Sequence, residues 1–151
     1  MKYSSQIIIE LPREKTISIF DNAENMKHWQ RGLIHYKQLS GDFGAEGAKM
    51  QLDYKMGKRE LTMIETIIKN DLPDLLITSY DTKGVYNIQT NRFEITSNGH
   101  TKWTSESEFR FNNLMMKIMG FLMPGAFKKQ SLKYMKDFKA FADLESFSTL
   151  S

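Results

Sequence analysis

From Ile34 to Phe111 the chain alternates apolar and polar residues at every second position, and clusters of Gly, Asn, Asp and Pro break the alternation at short intervals. No other feature restricts the fold as much. A period of two belongs to a strand with one wet and one dry face, and turn residues between such runs join strands as hairpins. Gly41, Gly44 and Gly47 separate the stretch ending at Leu39 from Lys49–Met56, and Met56-Gly57-Lys58 turns into Arg59–Lys69. Asn70-Asp71-Leu72-Pro73-Asp74 precedes Leu75–Asp81, Lys83-Gly84 leads into Val85–Thr96, and Ser97-Asn98-Gly99-His100 leads into Thr101–Phe111. Asn-Gly is a favoured hairpin pair because the tight turn needs positive φ. These six strands join a seventh, Tyr3–Leu11, at the start of the chain.

Helical signals flank the block. Pro12-Arg13-Glu14 opens a short helix to Phe20, with Pro in the tolerated first turn, and Ala23–Gln30 forms a second that closes before Gly32. Asn113–Ala142 reads as one long helix, in which Met116, Met119, Met123, Phe127, Tyr134, Phe138 and Phe141 share a stripe and Lys129, Lys133 and Lys136 lie opposite. Pro124 is expected to kink it. One domain over residues 1–145 is expected, with Ser146–Ser151 as a frayed polar tail. The expected class is α+β: a seven-stranded curved antiparallel sheet wrapped around a long C-terminal helix, with two short helices after the first strand.

Composition excludes several functions. The 151 residues, 40% hydrophobic and 26% charged, suffice for one sizeable core. The net charge of +3, from 21 basic and 18 acidic residues, is too mild to imply a nucleic-acid partner. There is no Cys, so disulfide and thiolate chemistry are excluded. His28, His35 and His100 show no ligand spacing, so neither a metal nor a cofactor is expected. The longest apolar run, Ile118–Phe127, has ten residues, whereas a membrane span needs about 20. No stable membrane insertion is expected, and a cytoplasmic location follows as the default. The loop from Gly41 to Gly47 lacks the phosphate-loop pattern and joins two strands, and no G-x-S-x-G elbow occurs.

The last two strands carry the most informative pattern. Arg92 and Glu94 share one face, as do Lys102, Glu106, Glu108 and Arg110 on the next strand, and those faces belong in water. The inward faces are then Val85, Asn87, Gln89, Asn91 and Phe93, with Trp103, Ser105, Ser107, Phe109 and Phe111. That set is unexpectedly polar. Buried amides and hydroxyls need partners, so they either satisfy one another and fixed waters or line a cavity. Glu65 lies between Met63 and Ile67 on a strand with two partly apolar faces, which favours a rim carboxylate over an inward acid, base or ligand anchor. Tyr54 and Tyr80 could offer hydroxyls to the same space.

The element order resembles the START-like (SRPBCC) superfamily of polyketide cyclases, lipid-transfer domains and pollen-allergen-type proteins. The segments Gly84-Val85-Tyr86-Asn87, Asn91-Arg92-Phe93-Glu94, Thr101-Lys102-Trp103 and Glu108-Phe109-Arg110-Phe111 are similar to one uncharacterised bacterial branch of it. So are Leu122-Met123-Pro124-Gly125-Ala126-Phe127-Lys128-Lys129-Gln130 and Tyr134-Met135-Lys136-Asp137-Phe138-Lys139. The resemblance implies a helix-grip fold with an internal cavity that binds a small hydrophobic or amphipathic molecule, such as a lipid, isoprenoid or polyketide-like compound. No catalytic residue carries over. The expected ligand-binding set is Tyr54, Met63, Glu65, Tyr80, Asn87, Gln89, Asn91, Phe93, Trp103, Met119, Met123 and Phe127. Two alternatives stay open: a cyclase- or hydratase-like enzyme using a cavity Glu or Tyr as acid/base, and a protein-interaction module of chaperone-activator or antitoxin type.

Overall fold

A computed structural model of the chain describes residues 1–114, 117–118 and 124–150. Strand β1 (Lys2–Ile9) is followed by helix α1 (Arg13–Phe20) and a 3-10 turn (Ala23–Asn25) that runs into helix α2 (Met26–Trp29). Six strands come next: β2 (Leu33–Ser40), β3 (Lys49–Met56), β4 (Arg59–Asp71), β5 (Leu75–Thr82), β6 (Val85–Ile95) and β7 (Thr101–Phe111). Helix α3 spans Pro124–Leu150.

The sheet order is β1-β7-β6-β5-β4-β3-β2, antiparallel throughout. Hairpins build β2 to β7 in sequence, so the two short helices must carry the chain from one sheet edge to the other. Buried Thr16 secures this crossing: its hydroxyl lies 3.1 Å from the Thr101 hydroxyl, which itself donates to the Leu11 carbonyl at 2.8 Å. Asn22 caps the 3-10 turn by accepting from the Glu24 N–H at 3.0 Å.

Beta-bulges bend the sheet. Two interrupt the β2–β3 pairing, and one interrupts β4–β5 between Ile67 and Lys69. The last leaves Ile68 exposed and reverses the facing of the residues after it. Gly41, at φ +71°, opens the β2–β3 loop so close to Ala48 that a Cβ there would lie 2.9 Å from the Ala48 side chain.

Helix α3 packs against β1, α1 and α2. Its buried residues are Met135, Phe138 and Ala142, so its inner face is turned slightly from the expected stripe. Tyr134 and Phe141 are half-buried, and Phe141 stacks on His28 at 5.1 Å. The expected Lys face, at Lys129, Lys133 and Lys136, is exposed. Polar ties hold the helix in place: Arg31 donates twice to Asp137 at 2.6 and 2.9 Å, and Lys139 donates to the Ile8 carbonyl at 2.7 Å. The Tyr3 and Ser131 hydroxyls meet at 2.6 Å. The helix continues to Leu150, past the expected end at Ala142 and into the segment read as a tail, because no Gly or Pro interrupts it there. The expected kink at Pro124 depends on residues before it, and it lies outside the described residues together with Met116. Among the described residues no helix is long and apolar enough to cross a membrane.

Five aromatic rings form the centre of the main core. Phe20 lies 5.0–5.8 Å from Phe93, Trp103, Phe138 and Trp29, mostly edge to face, and Trp103 lies 5.4 Å from Phe138. Such pairs add to the stabilisation from burial alone. Phe138 is fully buried. Truncating it removes the helix's main anchor, so Phe138→Ala is expected to destabilise the protein by about 3–5 kcal/mol. Urea unfolding checks this; a loss below about 1 kcal/mol would show that the cluster does not hold α3 to the sheet.

Candidate functional site

A cavity of about 310 Å³ lies between α3 and the sheet, beside the aromatic cluster. Its floor is the inward face of β4, β5 and β6, and strand register decides which side chains meet there. Met50 pairs with Glu65, Glu65 with Tyr80, Tyr80 with Asn87, and Asn87 with Phe109 in one row across the sheet. The adjacent row runs Ile67, Thr78, Gln89, Ser107 and Tyr3, and the next Leu76, Asn91, Ser105 and Ser5. Phe127, Gln130, Ser131, Tyr134 and Met135 form the roof, while Phe20, Asp21, Met26, Trp29 and Gln30 close one side. Phe43 and Gly44 of the β2–β3 loop complete the lining.

The structure brings Tyr54, Met63, Glu65, Tyr80, Asn87, Gln89, Asn91, Trp103 and Phe127 to this cavity. Phe93 shares the inward face but is sealed within the aromatic core, stacked on Trp103 at 5.7 Å. Met119 and Met123 lie outside the described residues. Tyr3, Asp21, Gln30, Phe43, Asn70, Thr78 and Tyr134 also line the space, beyond the set expected from the sequence. Thr78 was legible, because it shares the strand parity of Tyr80. Asn70 was not: strict alternation sends it outward with Ile68, and the bulge returns it inward. There its side-chain amide donates to the Gly44 carbonyl at 2.7 Å.

The amides of this face are already partnered, whereas the buried Ser5 and Ser107 hydroxyls have no hydrogen-bond partner among the described residues. The Gln89 amide donates to Asn87 Oδ1 at 3.1 Å, and the Asn87 amide donates to the Glu108 carbonyl at 3.1 Å. Asn91 Oδ1 accepts the Trp103 indole N–H at 2.9 Å in the buried interior. The Tyr54 hydroxyl donates to Gln30 Oε1 at 2.6 Å. Mutual satisfaction therefore explains much of the inward polarity, and Asn91 holds Trp103 as well as facing the cavity.

Glu65 differs from these. It points inward, not to the rim that its two-sided strand favoured, because it shares the parity of buried Ile67 and stands in register with Met50 and Tyr80. Burial pushes its pKa above the ordinary 4.5, and the Tyr80 hydroxyl beside it pulls the value back only in part. Burial likewise raises the Tyr80 and Tyr54 phenols, with the nearby Glu65 carboxyl adding to both shifts. Asp21, at the C-terminal end of α1, is also raised by partial burial. Among the described residues no group of three His, Cys, Asp or Glu is placed to hold a metal ion.

Similarity to known structures is broad but distant. Ara h 8.0201 superposes with a TM-score of 0.74 at 11% identity, covering 94% of this chain and 97% of that one. Major latex-like protein 151 from Panax ginseng gives 0.73 at 14% identity, covering 94% and 97%. A protein from Thermus thermophilus gives 0.78 at 9% identity, covering 97% and 99%. No protein-family model matches the chain, and no curated protein matches it in sequence. The chain thus shares its helix-grip fold with these proteins, and at these identities the likeness extends to the fold alone.

Two outcomes follow from the site. Asn91→Leu strands a buried indole N–H, so it should cost about 1–3 kcal/mol in urea unfolding with no ligand present; an unchanged midpoint would free Asn91 of its structural role. Glu65, with its native pKa raised, binds its proton more tightly folded than unfolded. Its contribution is therefore favourable below the ordinary 4.5 and is lost as pH rises through the raised native value. Glu65→Gln should melt above the wild type in mildly alkaline buffer and approach it in acid, as read by circular dichroism.

Proposed function

We propose that this protein binds a small apolar or amphipathic molecule in the cavity between α3 and the sheet. The observation that supports this reading most is the cavity itself: about 310 Å³ of space within the range of small-molecule sites, left open beside a well-packed core. Its walls are mainly aromatic and aliphatic, which suits affinity from apolar contact, and a few inward polar groups suit orientation of one polar end. A lipid, an isoprenoid or a polyketide-like compound would suit walls of this chemistry. The partner is then a small molecule in the cytoplasm, with no nucleic acid involved.

One observation favours a second reading, an acid–base enzyme of cyclase or hydratase type: an inward carboxyl with a raised pKa beside a tyrosine. A change in mass of the bound molecule on incubation with the protein would separate turnover from binding.

Native mass spectrometry of freshly purified protein should show a non-covalent small molecule that denaturation releases. Nile red, a neutral dye, should brighten on binding, and Met63→Trp, which fills the cavity from β4, should weaken its affinity by about tenfold, or roughly 1.4 kcal/mol. Equal affinity in the two proteins would put the dye outside the cavity and remove the support for this reading.

A further inference from the structure

We propose, resting on the binding reading above, that the cavity selects amphiphiles carrying a basic nitrogen, seated against Glu65, and discriminates against carboxylates of the same chain length. The argument begins with the sign of the ionisable groups. The chain is basic overall, with 21 Lys and Arg against 18 Asp and Glu. Yet among the described residues lining the cavity there is no Lys, Arg or His; its acids are Glu65 on the floor and Asp21 at the end of α1. The nearby Lys129, Lys133 and Lys136 face outward from α3 and are exposed. A basic protein therefore encloses a space in which, among the described lining residues, the acids Glu65 and Asp21 meet no basic side chain.

A carboxylate brought into this space meets no cation and at least one other carboxyl. It loses its hydration, or takes up a proton to remain, and either costs affinity. An alkylammonium reverses both effects. It supplies the charge partner that Glu65 lacks, and charge-assisted hydrogen bonds to the carboxylate exceed neutral ones in strength. The surroundings suit a cation as well. Tyr80 is the register partner of Glu65 on β5, and Tyr54 and Tyr134 line the same cavity. Aromatic faces around a desolvated cation add attraction. A neutral alcohol keeps the apolar contacts and a hydrogen bond but gains no ion pair, so it ranks between the two.

The apolar part of such a ligand has a defined path. Ile67 and Met63 flank Glu65 on β4, Phe109 lies in its cross-sheet row, and Phe127 stands above. The other inward amides compete less for the ligand's head, because Asn87 and Asn91 already serve protein partners.

The test is displacement of Nile red by decylamine, decanol and decanoate at neutral pH, with wild type and Glu65→Gln, whose folding is checked by circular dichroism. In the wild type decylamine should displace the dye about tenfold more effectively than decanol, and decanol about tenfold more effectively than decanoate. In Glu65→Gln the ratio of amine to alcohol affinity should fall towards one. Decanoate matching or exceeding decylamine in the wild type overturns the proposal even if the variant fails to fold, as does an amine preference that survives Glu65→Gln. In either case a dye that binds the cavity leaves the broader binding reading standing. If neither Nile red nor any of the three amphiphiles binds, both readings fall together.

Discussion

One α-helix cannot cover the concave face of seven strands. With strands about 4.8 Å apart the sheet is roughly 29 Å across, whereas a helix with its side chains is about 10–12 Å thick. Where α3 lies therefore decides what becomes of the rest of the face. It lies towards β1, tied by Tyr3 and by the Ile8 carbonyl, and it is clamped from the other side by α1 and α2. Phe20, Trp29, Phe93, Trp103 and Phe138 fill the space there as a solid aromatic wedge. Over β4, β5 and β6 nothing of comparable size descends among the described residues, and the gap that remains is the cavity.

The same constraint accounts for the chemistry of the floor. Strands whose inner face is only partly packed can keep amides and hydroxyls, provided these find partners. The Gln89–Asn87–Glu108 chain and the Trp103–Asn91 pair meet that condition within the protein, and they also stiffen the two strands that carry the aromatic wedge. Glu65 does not reach the same balance. Its neighbours on the floor are Met50 and Tyr80, and no cation approaches it among the described lining residues. A carboxyl held in this way lowers the stability of the empty protein near neutral pH.

Fold and function separate at this point. Proteins at 9–14% identity share nearly the whole architecture with this chain, as expected when a helix and a curved sheet are set by patterning. The sign and placement of a few inward side chains are free to differ on that scaffold, and they decide what it binds.

Local periodicity determined much of this protein. The seven strands, their hairpin order, the two short helices and the long C-terminal helix are legible in the sequence, because alternation, turn residues and an apolar stripe are properties of neighbouring residues. The two faces of β6 and β7 were legible for the same reason, down to the polar character of the inner one. What only the tertiary structure decided depends on residues far apart in the chain. Glu65 had apolar neighbours on both faces, and its orientation waited on register with β3 and β5. Asn70 turned inward through a bulge that no residue type announced. Asn91 met Trp103, and Tyr3 met Ser131 across 128 positions, by packing alone. The cavity belongs to this second group, because an empty space has no residues of its own and exists only where α3 spans the sheet without filling the space beneath it.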